Sequence, residues 1–211
     1  MHSRLILAML LMMLMTGVAI AAQDVFQYES WPFEGMPYFE VVKDKIELHE
    51  SAMSKSPVVA TLMLKRGAVM SFDFGVKELI KRRKEYGGKI FGIKNNAKIY
   101  SDLILGKSIQ ITIKPGILRA RADGGAWGFS FKKGDVIEDL VYVGEGVCVY
   151  RYAGKVTKDV PCLYNEIGDG TLVQESQPVT EWWVTVVENG KTIGWLEIDG
   201  SSPLNMIDTI N

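Results

Sequence analysis

Histidine, cysteine and net charge are all scarce in this 211-residue chain, and each shortage removes a class of function. His49 is the only histidine beyond the first two residues, too few for a His-based metal centre, and any catalytic imidazole must be this one. Cys148 and Cys162 are the only cysteines and form no C-x-x-C, which argues against redox or nucleophilic thiol chemistry. With 24 basic and 25 acidic side chains there is no broad charge imbalance to draw nucleic acid or an acidic membrane. No glycine-rich loop opens a helix: Gly124-Gly125 and Gly144-x-Gly146 fall between strand-like runs, so no phosphate cradle is expected. The expectation is of no metal, no cofactor and no catalytic set.

What is present begins with Met1-His2-Ser3-Arg4, an apolar run from Leu5 to Met15 and the small-residue end Ala19-Ile20-Ala21. That order predicts a secretory signal peptide over residues 1–22, cut after Ala21 or Ala22. An uncleaved anchor is the alternative, since the run approaches spanning length. No cysteine stands at the cut, which argues against a lipid anchor. Cleavage removes Arg4 and leaves 23 basic against 25 acidic side chains, a periplasmic or secreted chain without a membrane span. In that setting Cys148 and Cys162 are expected to pair, closing a loop of about 15 residues worth on the order of 3 kcal/mol.

Most of the remaining chain reads as short strands between turns. Glu181–Val187 and Lys191–Ile198 flank Asn189-Gly190, the pair best suited to a two-residue hairpin turn. Trp182, Val184 and Val186 make one wholly apolar face, so Trp182 is expected inward and Trp183 outward. Strands are also expected around Val41, Ile46, Val58–Leu64 and Ala68–Phe72, with turns at Lys65-Arg66-Gly67. Residues 23–37, with Pro32, Gly35 and Pro37, read as an arm that packs aromatic side chains on the body. Val76–Tyr86, ended by Gly87-Gly88, is the one convincing helix, and its basic run from Lys77 to Lys84 reads as a solvated face, with a polyanion patch as the alternative. Strands follow at 89–93, 97–100 and Ser108–Ile113. From Lys114 a second series begins, in which Lys132-Lys133-Gly134 repeats the device of Lys65-Arg66-Gly67 and the cysteines bracket a hairpin. Residues 165–180 read as a return linker.

The order strand, Ser54-Lys55-Ser56-Pro57-Val58-Val59, strand, x-x-Gly, strand, together with the late Trp182-Trp183 and Gly194-Trp195-Leu196, resembles bacterial SH3-like domains. Glu47-Leu48-His49 departs from the family, which commonly has an arginine in that strand. The resemblance implies an all-β fold: an SH3-like barrel from residues 38–74 and 179–211, interrupted by residues 75–178. A second small barrel-like core is expected at about 114–165.

For binding, an outward Trp183 and the tyrosines Tyr142, Tyr150 and Tyr152 are the candidate side chains, able to stack on a sugar or a peptide. The alternative for Trp183 is burial between the two units. Glu138-Asp139 and Glu145 could act together as acids; surface solvation explains them as well. The family resemblance implies a non-enzymatic binder of a cell-wall glycan or peptide, or of a protein partner. A cell-wall hydrolase or hydrolase inhibitor, and a structural part of an envelope complex, are the alternatives.

Overall fold

The computed structural model describes residues 25–210 except 31, 33, 34, 89, 91 and 95. The expected signal peptide and the arm residues Trp31 and Phe33 lie outside the described residues. The chain is all-β. In order come β1 (Phe26–Tyr28), β2 (Met36–Val41), β3 (Lys45–His49), β4 (Val58–Met63), β5 (Val69–Ser71), helix α1 (Asp73–Glu85) and β6 (Leu103–Lys114). Next are β7 (Gly116–Ala120), β8 (Gly124–Ala126), β9 (Phe129–Phe131), β10 (Val136–Gly144), β11 (Val147–Tyr152) and β12 (Lys155–Pro161). The short helix α2 (Tyr164–Gly168), β13 (Leu172–Ser176), β14 (Val179–Glu188), β15 (Lys191–Glu197) and β16 (Leu204–Ile210) complete the described chain.

The strands form a six-stranded sheet, β1-β6-β14-β15-β3-β4, a three-stranded sheet, β16-β2-β5, a five-stranded sheet, β12-β11-β10-β7-β13, and the β8–β9 hairpin. Among the described residues none of these sheets closes into a barrel. Between the first two lies the main core, built from Phe39, Val41, Ile46, Leu48, Met70, Leu105, Trp182, Val184 and Leu196 among others. Phe39 of one sheet meets Trp182 of the other with ring centroids 5.8 Å apart. The late hairpin joins the early strands through Trp195 opposite His49, and β16 pairs along β2. Asn189 and Gly190 take φ of 48° and 78°, the two positive values that the hairpin turn demands.

One expected boundary moves. Placing residues 75–178 in an insertion put β6 outside the host, yet β6 pairs with β14 from Lys114 to Leu103 and supplies Leu103 and Leu105 to the host core. The separate sheet runs only from β7 to β13. Gly106 allows this pairing, because a Cβ there would lie 2.6 Å from the Thr185 hydroxyl and 2.8 Å from a Val187 methyl. Helix α1 starts three residues before the expected Val76; with Ile90, Ile93, Ala97 and Ile99 it covers the outer face of the three-stranded sheet. The expected strands at 89–93 and 97–100 reduce, among the described residues, to isolated bridges such as Val69 with Ile99.

The two units repeat one backbone device. In the host, Val41 N–H donates to Ala68 O, Gly67 N–H to Val41 O and Ala68 N–H to Lys65 O, at 2.8, 2.8 and 3.0 Å. In the inserted unit, Ala120 N–H donates to Asp135 O, Gly134 N–H to Ala120 O and Asp135 N–H to Lys132 O, at 2.9, 2.9 and 3.0 Å. The strand order matches too. β16-β2-β5 corresponds to β13-β7-β10, and a hairpin, β3–β4 or β8–β9, sits between the first strand and the glycine turn in each.

The inserted sheet is held against the host by β10. Leu140, Val141 and Val149 pack with Phe26 and Tyr28 of β1. Thr112 Oγ1 donates to Leu140 O at 2.8 Å, satisfying a carbonyl that this contact buries.

Candidate functional site

Strand β10 carries Ile137 and Asp139 at alternate positions, and a bulge after Asp139 turns Val141 to the face that meets β1 and brings Tyr142 back beside Asp139. Ile137 is fully buried in the core of the inserted sheet, so an acid is placed at a position of core parity. Asp139 sits opposite Tyr150 on β11. It lines a cavity of about 160 Å³ with Tyr142, Cys148 and Tyr150 from the strands, Tyr164 and Ile167 from α2, Leu118 from β7, and Gln174, Gln177 and Pro178 from β13 and the return segment. The disulfide between Cys148 and Cys162, with Cα atoms 5.0 Å apart, ties the wall that bears Tyr150 to the start of α2.

The electrostatics of this cavity are unusual for the chain. Burial pushes the Asp139 carboxyl up to about 6. No hydrogen bond or ion pair holds this carboxylate among the described residues, and no lysine or arginine lines the cavity. Burial also raises the Tyr150 phenol, aided by Asp139, although its oxygen accepts the Leu163 N–H at 2.9 Å. Burial raises the Tyr164 hydroxyl as well, with Tyr142 and Asp139 adding to it. Gln177 donates from its side-chain amide to Gln174 Oε1 at 2.7 Å, and the exposed ring of Tyr164 sits at the rim.

Of the four expected binding side chains, the cavity brings together Tyr142 and Tyr150. Tyr152 is elsewhere: its hydroxyl donates to Asp135, which raises the phenol and holds that carboxyl below its ordinary range, and its ring meets Phe129 edge-on at 5.6 Å. Trp183 is not an outward platform. It lies on the face opposite Trp182 but has 0% exposure, enclosed in a second cluster with Ala52, Ile109, Ile111 and Trp195. Its Nε1 donates to Glu181 Oε2 at 2.9 Å and the His49 ring stands edge-on to it at 5.6 Å. Both faces of the six-stranded sheet are therefore covered, and the cover over Trp183 comes from the host's own residues. His49 itself is half-buried at its strand end, with Nδ1 2.8 Å from Ser56 O.

The acids Glu138 and Asp139 do not act together. As strand neighbours they face opposite ways, and Glu138 pairs with Arg151 at 2.7 Å. Glu145 is exposed in a turn at φ 52°. Gln174 and Gln177 escaped sequence reasoning because residues 165–180 read as linker, and Tyr164 because it stands at the very end of the expected second core; the one usable signal was an aspartate sharing strand parity with Ile137. Trp127 also went unremarked: it is 92% exposed at the tip of β8–β9 with φ 48°. Among the described residues no group of histidine, cysteine or acidic side chains is arranged to hold a metal, and no helix is long and apolar enough to cross a membrane. Comparison with protein-family models, curated proteins and solved structures finds no match to this chain.

Proposed function

We propose that the chain is a periplasmic or secreted, non-enzymatic binding protein made of two nested SH3-like units, and that it recognises a cell-wall component or a peptide of a protein partner. The observation that carries this is the cavity on the inserted sheet, walled by Tyr142, Tyr150 and Tyr164 around one carboxyl. A concave site with aromatic walls and few polar groups suits recognition. Its lining has no serine, threonine, histidine or lysine and its cysteine is committed to a disulfide, so the common pairings of a hydroxyl, thiol or amine nucleophile with a histidine base are not supplied there. The SH3-like reading draws support from the repeated strand order and the glycine device common to both units. The extracytoplasmic placement draws support from the disulfide.

The test is retention on purified sacculi, beside a known wall binder. Retention of the mature protein is expected; its absence, while the control is retained, removes the wall as ligand and leaves the peptide partner.

A cell-wall hydrolase is the second reading, favoured by Asp139, because a carboxyl held near 6 suits a general acid. It requires turnover of muropeptides that Asp139→Asn abolishes.

A further inference from the structure

We propose that the cavity holds the protonated terminal amine of a diamino-acid side chain in a cell-wall peptide, with Asp139 as its counter-ion and Tyr142, Tyr150 and Tyr164 as its walls. This deepens the wall-binding reading and rests on it.

Size narrows the ligand first. A cavity of about 160 Å³ is well under the roughly 300–1,000 Å³ that drug-sized ligands occupy, so it suits a single side chain rather than a glycan chain. Chemistry narrows it further. A half-buried carboxylate without a hydrogen-bond donor or cation is costly, and a cation entering the cavity relieves that cost. Tyrosine faces attract an ammonium through their quadrupoles. Leu118, Ile167 and Pro178 offer apolar surface to the methylene stem of such a side chain. An ammonium carries three donors, and the Gln174 and Gln177 side chains that also line the cavity carry further acceptor oxygens, of which Gln174 Oε1 already accepts from Gln177. An anionic or neutral group gains none of this.

The pH dependence follows. Asp139 must be ionised, whereas an alkylammonium stays charged to about pH 10. Of the other titratable groups around the cavity, burial keeps Tyr150 and Tyr164 neutral near pH 7, and Glu166 is the further acid acting on Tyr150. Arg151, from β11, is engaged by Glu138. Binding is therefore full from about pH 7 to 9 and weakens about tenfold per unit below Asp139's midpoint near 6.

The experiment measures binding of the full mature protein to a short lysine peptide, to the same peptide acetylated on Nζ, and to sacculi before and after amine acetylation. Expected are binding of the free-amine forms, at least tenfold loss on acetylation, the same loss with Asp139→Asn, and several-fold loss with Tyr164→Ala. Tyr164 is exposed, so its truncation leaves the fold in place. Equal binding of acetylated and free sacculi overturns the amine proposal while the wall-binding reading stands. Asp139-dependent binding of the lysine peptide without retention on sacculi overturns the wall peptide as source, and with it the wall reading. Unchanged binding by both variants places the ligand elsewhere and overturns the site.

Discussion

The side-chain amide of Gln110, on the host strand β6, donates to the carbonyl of Tyr142 at 2.7 Å, so the host sheet holds the strand that forms one wall of the cavity. Thr112 does the same for Leu140 one β-repeat away. Removing either donor takes one hydrogen bond from the contact between the two sheets, at a cost of about 0.5–1.5 kcal/mol. Gln110→Leu and Thr112→Val are each expected to lower the unfolding free energy measured in urea by that amount. Gln110→Leu is also expected to weaken any ligand of the cavity, since Tyr142 loses its anchor.

Asp139 makes stability depend on pH with an uncommon sign. Its folded pKa, about 6, lies above the ordinary aspartate value of 3.8, so the folded state holds a proton that the unfolded state releases. Its contribution is most favourable below about pH 4, is lost as pH rises through 4 to 6, and stays lost above. The whole loss is on the order of 3 kcal/mol. Asp139→Asn is expected to raise the thermal midpoint at pH 7.5 and to change it little at pH 4, by calorimetry on both proteins. A carboxyl retained at such a cost is more readily understood as a functional group than as part of the packing.

The Cys148–Cys162 bond, spanning 14 residues, joins the β11 wall to the residue preceding Leu163 and α2. Loop closure of that length is worth about 3 kcal/mol. Reduction, or the double Cys→Ser variant, is expected to lower denaturant stability by roughly that amount and to loosen Tyr150 and Tyr164 together. Fluorescence and amide exchange over residues 147–168 check it.

Trp127 holds φ 48° ahead of Gly128 at φ 87°, a turn in which asparagine is preferred and a bulky residue is strained. Since its indole is 92% exposed, little packing offsets the strain. Trp127→Asn is expected to stabilise the protein by about 1 kcal/mol, measured by urea unfolding.

Much of the architecture was legible because turn chemistry is local. Asn189-Gly190, Lys65-Arg66-Gly67 and Lys132-Lys133-Gly134 each announce a backbone conformation through residues adjacent in the chain. The helix was legible for the same reason, through its periodicity and Gly87-Gly88. Partners distant in sequence were not. Whether β6 belongs to the host or to the insertion depends on pairing with β14 some 75 residues later, and its apolar alternation is compatible with either. β13 was concealed because only Leu172 of its five residues is buried and Gly168-Asp169-Gly170 and Gln177-Pro178 read as loop. Trp183 was misjudged because strand alternation tells which face a side chain takes and says nothing of what covers that face; here Ala52 and Trp195 share its buried cluster. The candidate site was legible in part. Tyr142 and Tyr150 were named as aromatic side chains able to stack on a ligand, whereas Asp139 looked like half of a surface acid pair until β10 separated it from Glu138.

The most direct measurement is the ionisation of Asp139 itself, followed by the carboxyl carbon resonance from pH 3 to 9 with and without the lysine peptide. The account predicts a midpoint near 6 in the free protein that falls by at least one unit when the peptide is bound. A midpoint near the ordinary aspartate value of 3.8, unmoved by the peptide, would contradict it.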